Sequence, residues 1–267
     1  MISPSERQQL LADLNTLAVR DLVEVWRRAS VLDADFAAFI RDAFPEIAVA
    51  YAGVAADMAV DWYEQSDPES DFRARAAAPP SLTALESSTS WALGAAGTDA
   101  LGRLSGTLQR AVFDGARNTI SDNVTREGSR WVRHASANAC EFCKLLATRH
   151  IGPNATFFSS AAAAESVVGR GKEMSAADRR DRAAGRTRRS GSGSQGQFLA
   201  GGRRARGTQS IGDKYHDHCH CVAVEIRAGQ TYTPPPYVEK WNDDYIAARK
   251  ASGSGDPKKI LAAWRQL

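Results

Sequence analysis

Missing from this sequence are the short motifs behind several large enzyme classes: it has no His-Glu-x-x-His, no Gly-x-x-x-x-Gly-Lys-Ser/Thr and no Gly-x-Ser-x-Gly. Helix-borne zinc hydrolases, P-loop enzymes and nucleophile-elbow hydrolases are thereby excluded, and no serine, histidine and aspartate stand out as a triad. Long apolar runs are absent too. The longest uncharged apolar run, Ile47 to Ala56, falls well short of the roughly 18 residues a spanning helix needs. The first residues carry no basic stretch followed by an apolar one, so the expectation is a soluble chain made in the cytoplasm, with no membrane partner. Net charge is small, +3, which excludes a chain that is basic throughout.

Cysteine is scarce, and its placement is informative. All four cysteines and three of the five histidines fall in two short segments, Cys140 to Cys143 and His216 to Cys221. A Cys-x-x-Cys turns two thiolates toward one point, and a second segment of His-x-x-Cys or Cys-x-Cys spacing completes a tetrahedral N/S shell. The candidate ligands are Cys140, Cys143, His216, Cys219 and Cys221, and the residues alone do not select four of the five. A closed shell implies structural zinc rather than a catalytic ion, which keeps a position open for water. Two other readings stand beside it: buried reduced thiols, and paired disulfides formed after release from the cell.

What is abundant is helical pattern. Ser3, Pro4 and Glu6 form a capping box with proline in the first turn, and Leu11, Leu14, Ala18, Leu22 and Val25 recur at helical spacing to about Ala29. A second helix is expected from about Asp33, bent or interrupted at Pro45. An extended connector at Pro79 and Pro80 follows, then a helix over 81–93 and a long one after Gly97, in which Gly102, Gly106 and Gly115 permit close approach of a neighbouring helix. Trp26, Trp62 and Trp91 read as core. At Gly128 the pattern changes: 129–134 and 221–226 alternate as strands do, and pairing them brings the two cysteine segments together at one end. A helix over about 140–150 packs on that pair. The fold class is thus mainly α with a small α+β C-terminal region, divided as 1–127, 128–230 and 231–267, the last a proline-rich linker and a helical tail.

The run from Arg133 to Ala147 and the run from Tyr215 to Val224 together resemble the C-terminal signature of the Mu F-like minor head proteins of tailed bacteriophages, in the form carried by actinobacteriophages. The resemblance implies a minor capsid protein acting in head morphogenesis. It would associate with the portal protein and with major capsid and scaffold proteins, and be retained inside the head near the portal. Some relatives carry ADP-ribosyltransferase domains built on a Glu-x-Glu pair, which does not occur here. The resemblance also raises a capsid maturation protease, with a Cys–His nucleophile assembled from Cys140 or Cys143 with one of His216, His218 or His220.

Between Gly169 and Gly207 eleven basic residues face three acidic ones. Arg179, Arg180, Arg186, Arg188, Arg189, Arg203, Arg204 and Arg206 dominate this stretch, which has almost no apolar residues. The segment 169–210 is therefore expected to be disordered, either as a solvated linker or as an arm that binds phosphates of packaged DNA.

Overall fold

A computed structural model describes residues 2–31, 35–95, 97–148, 167–168, 209–210, 218–254 and 257–267. The chain divides into two compact units, Met1–Ser160 with Tyr215–Pro234, and Ala161–Lys214 with Pro235–Leu267.

The first unit begins with α1 (Pro4–Ala29), and the capping box is present: Ser3 Oγ accepts the Glu6 N–H while Glu6 accepts the Ser3 N–H. Helix α2 (Phe36–Ser66) runs through Pro45 without interruption. This corrects the expectation of an interruption there. Proline removes one donor, at a cost of roughly 3 kcal/mol, and here its ring is buried together with Ile40, Phe44, Ala48 and Ala52, so packing along the rest of the helix offsets that local loss. By length and composition alone α2 could cross a membrane. In this fold it packs against α1, α3 (Leu82–Leu93) and α4 (Gly97–Glu127).

The buried face of α2 is rich in alanine, with Ala48, Ala52, Ala55, Ala56 and Ala59 ending at Trp62 and Tyr63. Small residues let another backbone come close, and α4 does so at Gly115. A Cβ at that position would sit 2.2 Å from the Ala52 carbonyl oxygen. Leu104, Leu108, Val112, Ala116 and Ile120 form the buried face of α4. The connector between α2 and α3 is tied to α4 through its backbone: Asn123 receives the Arg75 N–H and donates to the Arg75 carbonyl, and Thr119 receives the Ala77 N–H. Trp62 is core as expected. Trp91 is not: it is 55 % exposed, with the Arg103 guanidinium 4.5 Å above its ring.

Strands β1 (Arg130–His134) and β4 (Val222–Ile226) pair antiparallel, Arg130 opposite Ile226 and His134 opposite Val222. The sheet lies against α4, and β4 also meets α1. Both faces of β4 are covered, so its polar residue must be paired. Glu225 accepts two bonds from Arg7 of α1, at 2.7 and 2.8 Å, and the side chains are 1 % and 2 % exposed. At the end of β4, Arg227 lies over Tyr63 and donates to the carboxylate of Glu127 and to Ser70. Burial pushes Glu127 upward, but hydrogen bonds from Arg227 and Tyr63 outweigh it and hold the carboxyl below its ordinary range. Burial, with Arg7 nearby, brings His134 down to about 4, so the ring is neutral, and its Nδ1 lies 2.8 Å from the Tyr232 hydroxyl.

Helix α5 (Glu141–Ala147) packs on β1. In the second unit, β2 (Val167–Val168) pairs with β3 (Gln209–Ser210). There α6 (Pro236–Ser252) packs with α7 (Pro257–Trp264), the Tyr245 ring facing Trp264. Gly253 ends α6 with φ 56°, a left-handed cap that glycine adopts without strain. Apart from Gln209 and Ser210, the basic stretch 169–210 lies outside the described residues.

The Ala52–Gly115 crossing generates a paired prediction. Gly115→Ala should destabilise by about 1–3 kcal/mol through overpacking. Gly102→Ala, where a Cβ meets nothing within 4 Å, should stabilise by up to about 1 kcal/mol through helix propensity. Urea unfolding midpoints check both, and effects of the same sign would refute the close approach.

Candidate metal centre

The two cysteine segments arrive at one point for separate local reasons. Ser136 to Ala139 turn the chain out of β1, with the Ala139 N–H bonded to the Ser136 carbonyl. Cys140 then caps α5, its sulfur accepting the Cys143 N–H at 3.4 Å. That places Cys143 on the first turn of α5, facing the sheet. From the other side, His218 takes φ 63°, a left-handed conformation in which histidine is enriched among non-glycine residues. The chain then runs through Cys219 and Cys221 into β4.

Cys143, Cys219 and Cys221 have their sulfurs within 4.8 Å of one another, and Cys143 Sγ is 3.5 Å from Cys219 Sγ. The three residues are only 1 %, 3 % and 2 % exposed. Cys140 is exposed, at the rim of the same cavity, which Cys143, His218, Cys219 and Cys221 also line. His216 lies outside the described residues. Of the five expected ligands, then, three are gathered, one borders the group and one is not described. No disulfide joins any two of the four cysteines in this structure.

Three sulfurs this close cannot titrate independently. Hydrogen bonds from Cys143 and then Cys221 draw Cys219 toward the thiolate, with the Arg117 guanidinium helping against burial. Contacts with Cys140, Cys219 and Cys221 hold the Cys143 proton in place. A divalent ion held by this group would replace the shared protons. The donor set fits zinc: at about 2.3 Å per Zn–S bond, tetrahedral thiolates stand just under 4 Å apart, close to the spacing observed.

Sequence reasoning missed the residues that hold the second segment. Arg117 of α4 donates to the Cys221 carbonyl at 2.9 and 2.7 Å and to the Cys219 carbonyl at 2.7 Å. Gln109 donates to the Cys219 carbonyl, and Gln8 of α1 to the His220 carbonyl at 2.9 Å. Asp114 orients Arg117 at 2.8 Å, and burial raises the carboxyl of Asp114 despite that cation. Gln109 and Arg117 each follow a residue of the apolar face of α4, Leu108 and Ala116, and nothing in the sequence says what they meet.

The family model for VG15 protein matches residues 3–169 and 194–248. The chain belongs to this family. VG15 is a phage-associated family, which makes this a phage protein associated with the virion. The matched stretches contain both cysteine segments with Gln8, Gln109 and Arg117, and they pass over 170–193, which holds Arg179, Arg180, Arg186, Arg188 and Arg189. No curated protein and no solved structure matches the chain.

Arg117→Met should weaken zinc binding about 10–100-fold, the usual effect of removing an outer partner of a metal site. Competition with a chromophoric chelator measures it, with Arg103→Met, a half-buried arginine of the same helix that lies over Trp91, as control. Equal affinity in the two variants would remove Arg117 from the site.

Proposed function

We propose that this chain is a minor capsid protein of the Mu F-like kind, acting in head morphogenesis, bound to the portal protein and retained inside the head. The observation that carries the reading is the convergence of Cys143 with Cys219 and Cys221 on a helical bundle, in a chain whose family is phage-associated. In this reading the centre is structural. Cys143, Cys219 and Cys221, with one further ligand, hold zinc, which supplies a cross-link between α5 and the start of β4. The protein's work is then docking: helical surfaces meet the portal and its neighbours, the major capsid and scaffold proteins, while the buried centre keeps the C-terminal segments in register.

The protease alternative fits the geometry less well. A cysteine nucleophile needs access and a depressed pKa. Cys143 is buried with its proton held, and Cys219, the thiol drawn toward thiolate, is 3 % exposed. Cys140 is accessible and lines the same cavity as His218 and His220, so it is the cysteine on which a protease reading would have to rest.

Co-expression with the cognate portal, capsid and scaffold proteins tests the assignment. The chain should co-purify with the portal and appear in assembled proheads at unchanged mass for the capsid protein, whether or not Cys140 is replaced by serine. Absence from proheads would overturn the head-protein reading, and capsid cleavage that vanishes in Cys140→Ser would install the protease.

Packaged DNA belongs to the same proposal through Arg179, Arg180, Arg186, Arg188, Arg189, Arg203, Arg204 and Arg206. DNA retardation should fall steeply with salt, because each neutralised phosphate releases condensed counterion, and deleting 170–207 should abolish it. Retention of binding by the deletion variant would exclude the arm.

A further inference from the structure

We infer that the centre is all-thiolate, with Cys140, Cys143, Cys219 and Cys221 enclosing one soft divalent ion of the zinc class and no histidine in the inner shell. This rests on the metal reading above and names its fourth ligand.

Three sulfurs are already grouped and buried, so the fourth donor must enter from the cavity side. Cys140, His218 and His220 all line that side. Cys140 is the better placed: its sulfur is in hydrogen-bond contact with Cys143 and accepts the Cys143 amide N–H. Amide donors of this kind stabilise a metal-bound thiolate. His218 and His220 also border the cavity, yet neither places a ring nitrogen within the group of three sulfurs. The His220 ring is held edge-on against Phe113 at 5.3 Å. His218 stays exposed in its left-handed turn.

Chemistry and electrostatics are consistent with the four-sulfur shell. Thiolates select zinc, cadmium or cobalt(II) over magnesium, calcium or manganese. Four thiolates around a divalent ion leave a net charge of about −2 by formal count, and Arg117 lies against the backbone of two of the ligands. The shell is closed, leaving no site for an activated water. It also ties together the two ends of the stretch 144–218, holding the base of that excursion shut whatever its interior does.

Cobalt(II) titration of the full-length protein tests the inference, since sulfur-to-cobalt charge transfer scales with the number of thiolates. The wild type should bind one equivalent with tetrahedral visible bands. Cys140→Ser should lose about a quarter of the charge-transfer intensity and bind zinc about 100-fold more weakly, with far-UV circular dichroism retained because Cys140 is exposed. His216→Ala and His218→Ala should leave the spectrum unchanged. An unchanged spectrum in Cys140→Ser, or loss in either histidine variant, overturns the inference and leaves the metal site standing. A wild type that takes up no cobalt removes the metal reading itself. A second arm needs no variant: zinc should protect Cys140 of the wild type from alkylation, and equal labelling with and without zinc overturns the inference.

Discussion

Arg7 and Glu225 stand 218 residues apart in the chain and share two hydrogen bonds in the buried centre of the first unit. A buried ion pair adds little net stability when intact, because desolvation consumes most of the Coulomb gain, but breaking one side leaves a buried charge at a cost of about 3–5 kcal/mol. The pair therefore acts as a register pin. Glu225 can be buried only if β4 lies where α1 presents Arg7, and a one-residue slip of β4 would turn that carboxylate to the opposite face.

Two more arginines extend the same logic along β4. Arg117 grips the carbonyls of Cys219 and Cys221 just before the strand, and Arg227 grips Glu127 and Ser70 just after it. The strand is held at its entry, middle and exit by planar, multidentate cations drawn from the bundle or aimed into it. The cysteine centre sits at the entry end. Its second segment is thus positioned by the helical bundle before any metal binds, and an ion would need to order chiefly the Cys140 side. Preorganisation of this kind is what makes a small thiolate site tight.

Much of the fold was legible in the chain. The capping box at Ser3, the apolar face of α4, the proline-rich connector and the alternation at 129–134 and 221–226 are local patterns, and the local structure obeys them. The pairing of β1 with β4 was legible because the cysteine segments had to meet. Three expectations failed or went unmade for the same reason, that they depended on neighbours. Pro45 stays inside α2 because the helix is packed along its length. Trp91 lies at the surface although its spacing looked like core. Glu225 and Arg227 carried no expectation, because nothing near them in sequence announces Arg7, Tyr63 or Glu127.

The sequence by itself determined where helices begin, which segments alternate and which few residues carry metal-binding chemistry, because capping, periodicity and thiolate coordination are written in residues only a few positions apart. Tertiary structure alone decided which cysteines share a point, which carbonyls Arg117 and Gln8 hold, and that β4 is buried on both faces. Those outcomes depend on close approach between distant segments, as where Gly115 admits the backbone of Ala52. Burial then turns a polar side chain with no local partner into one that must find a distant one.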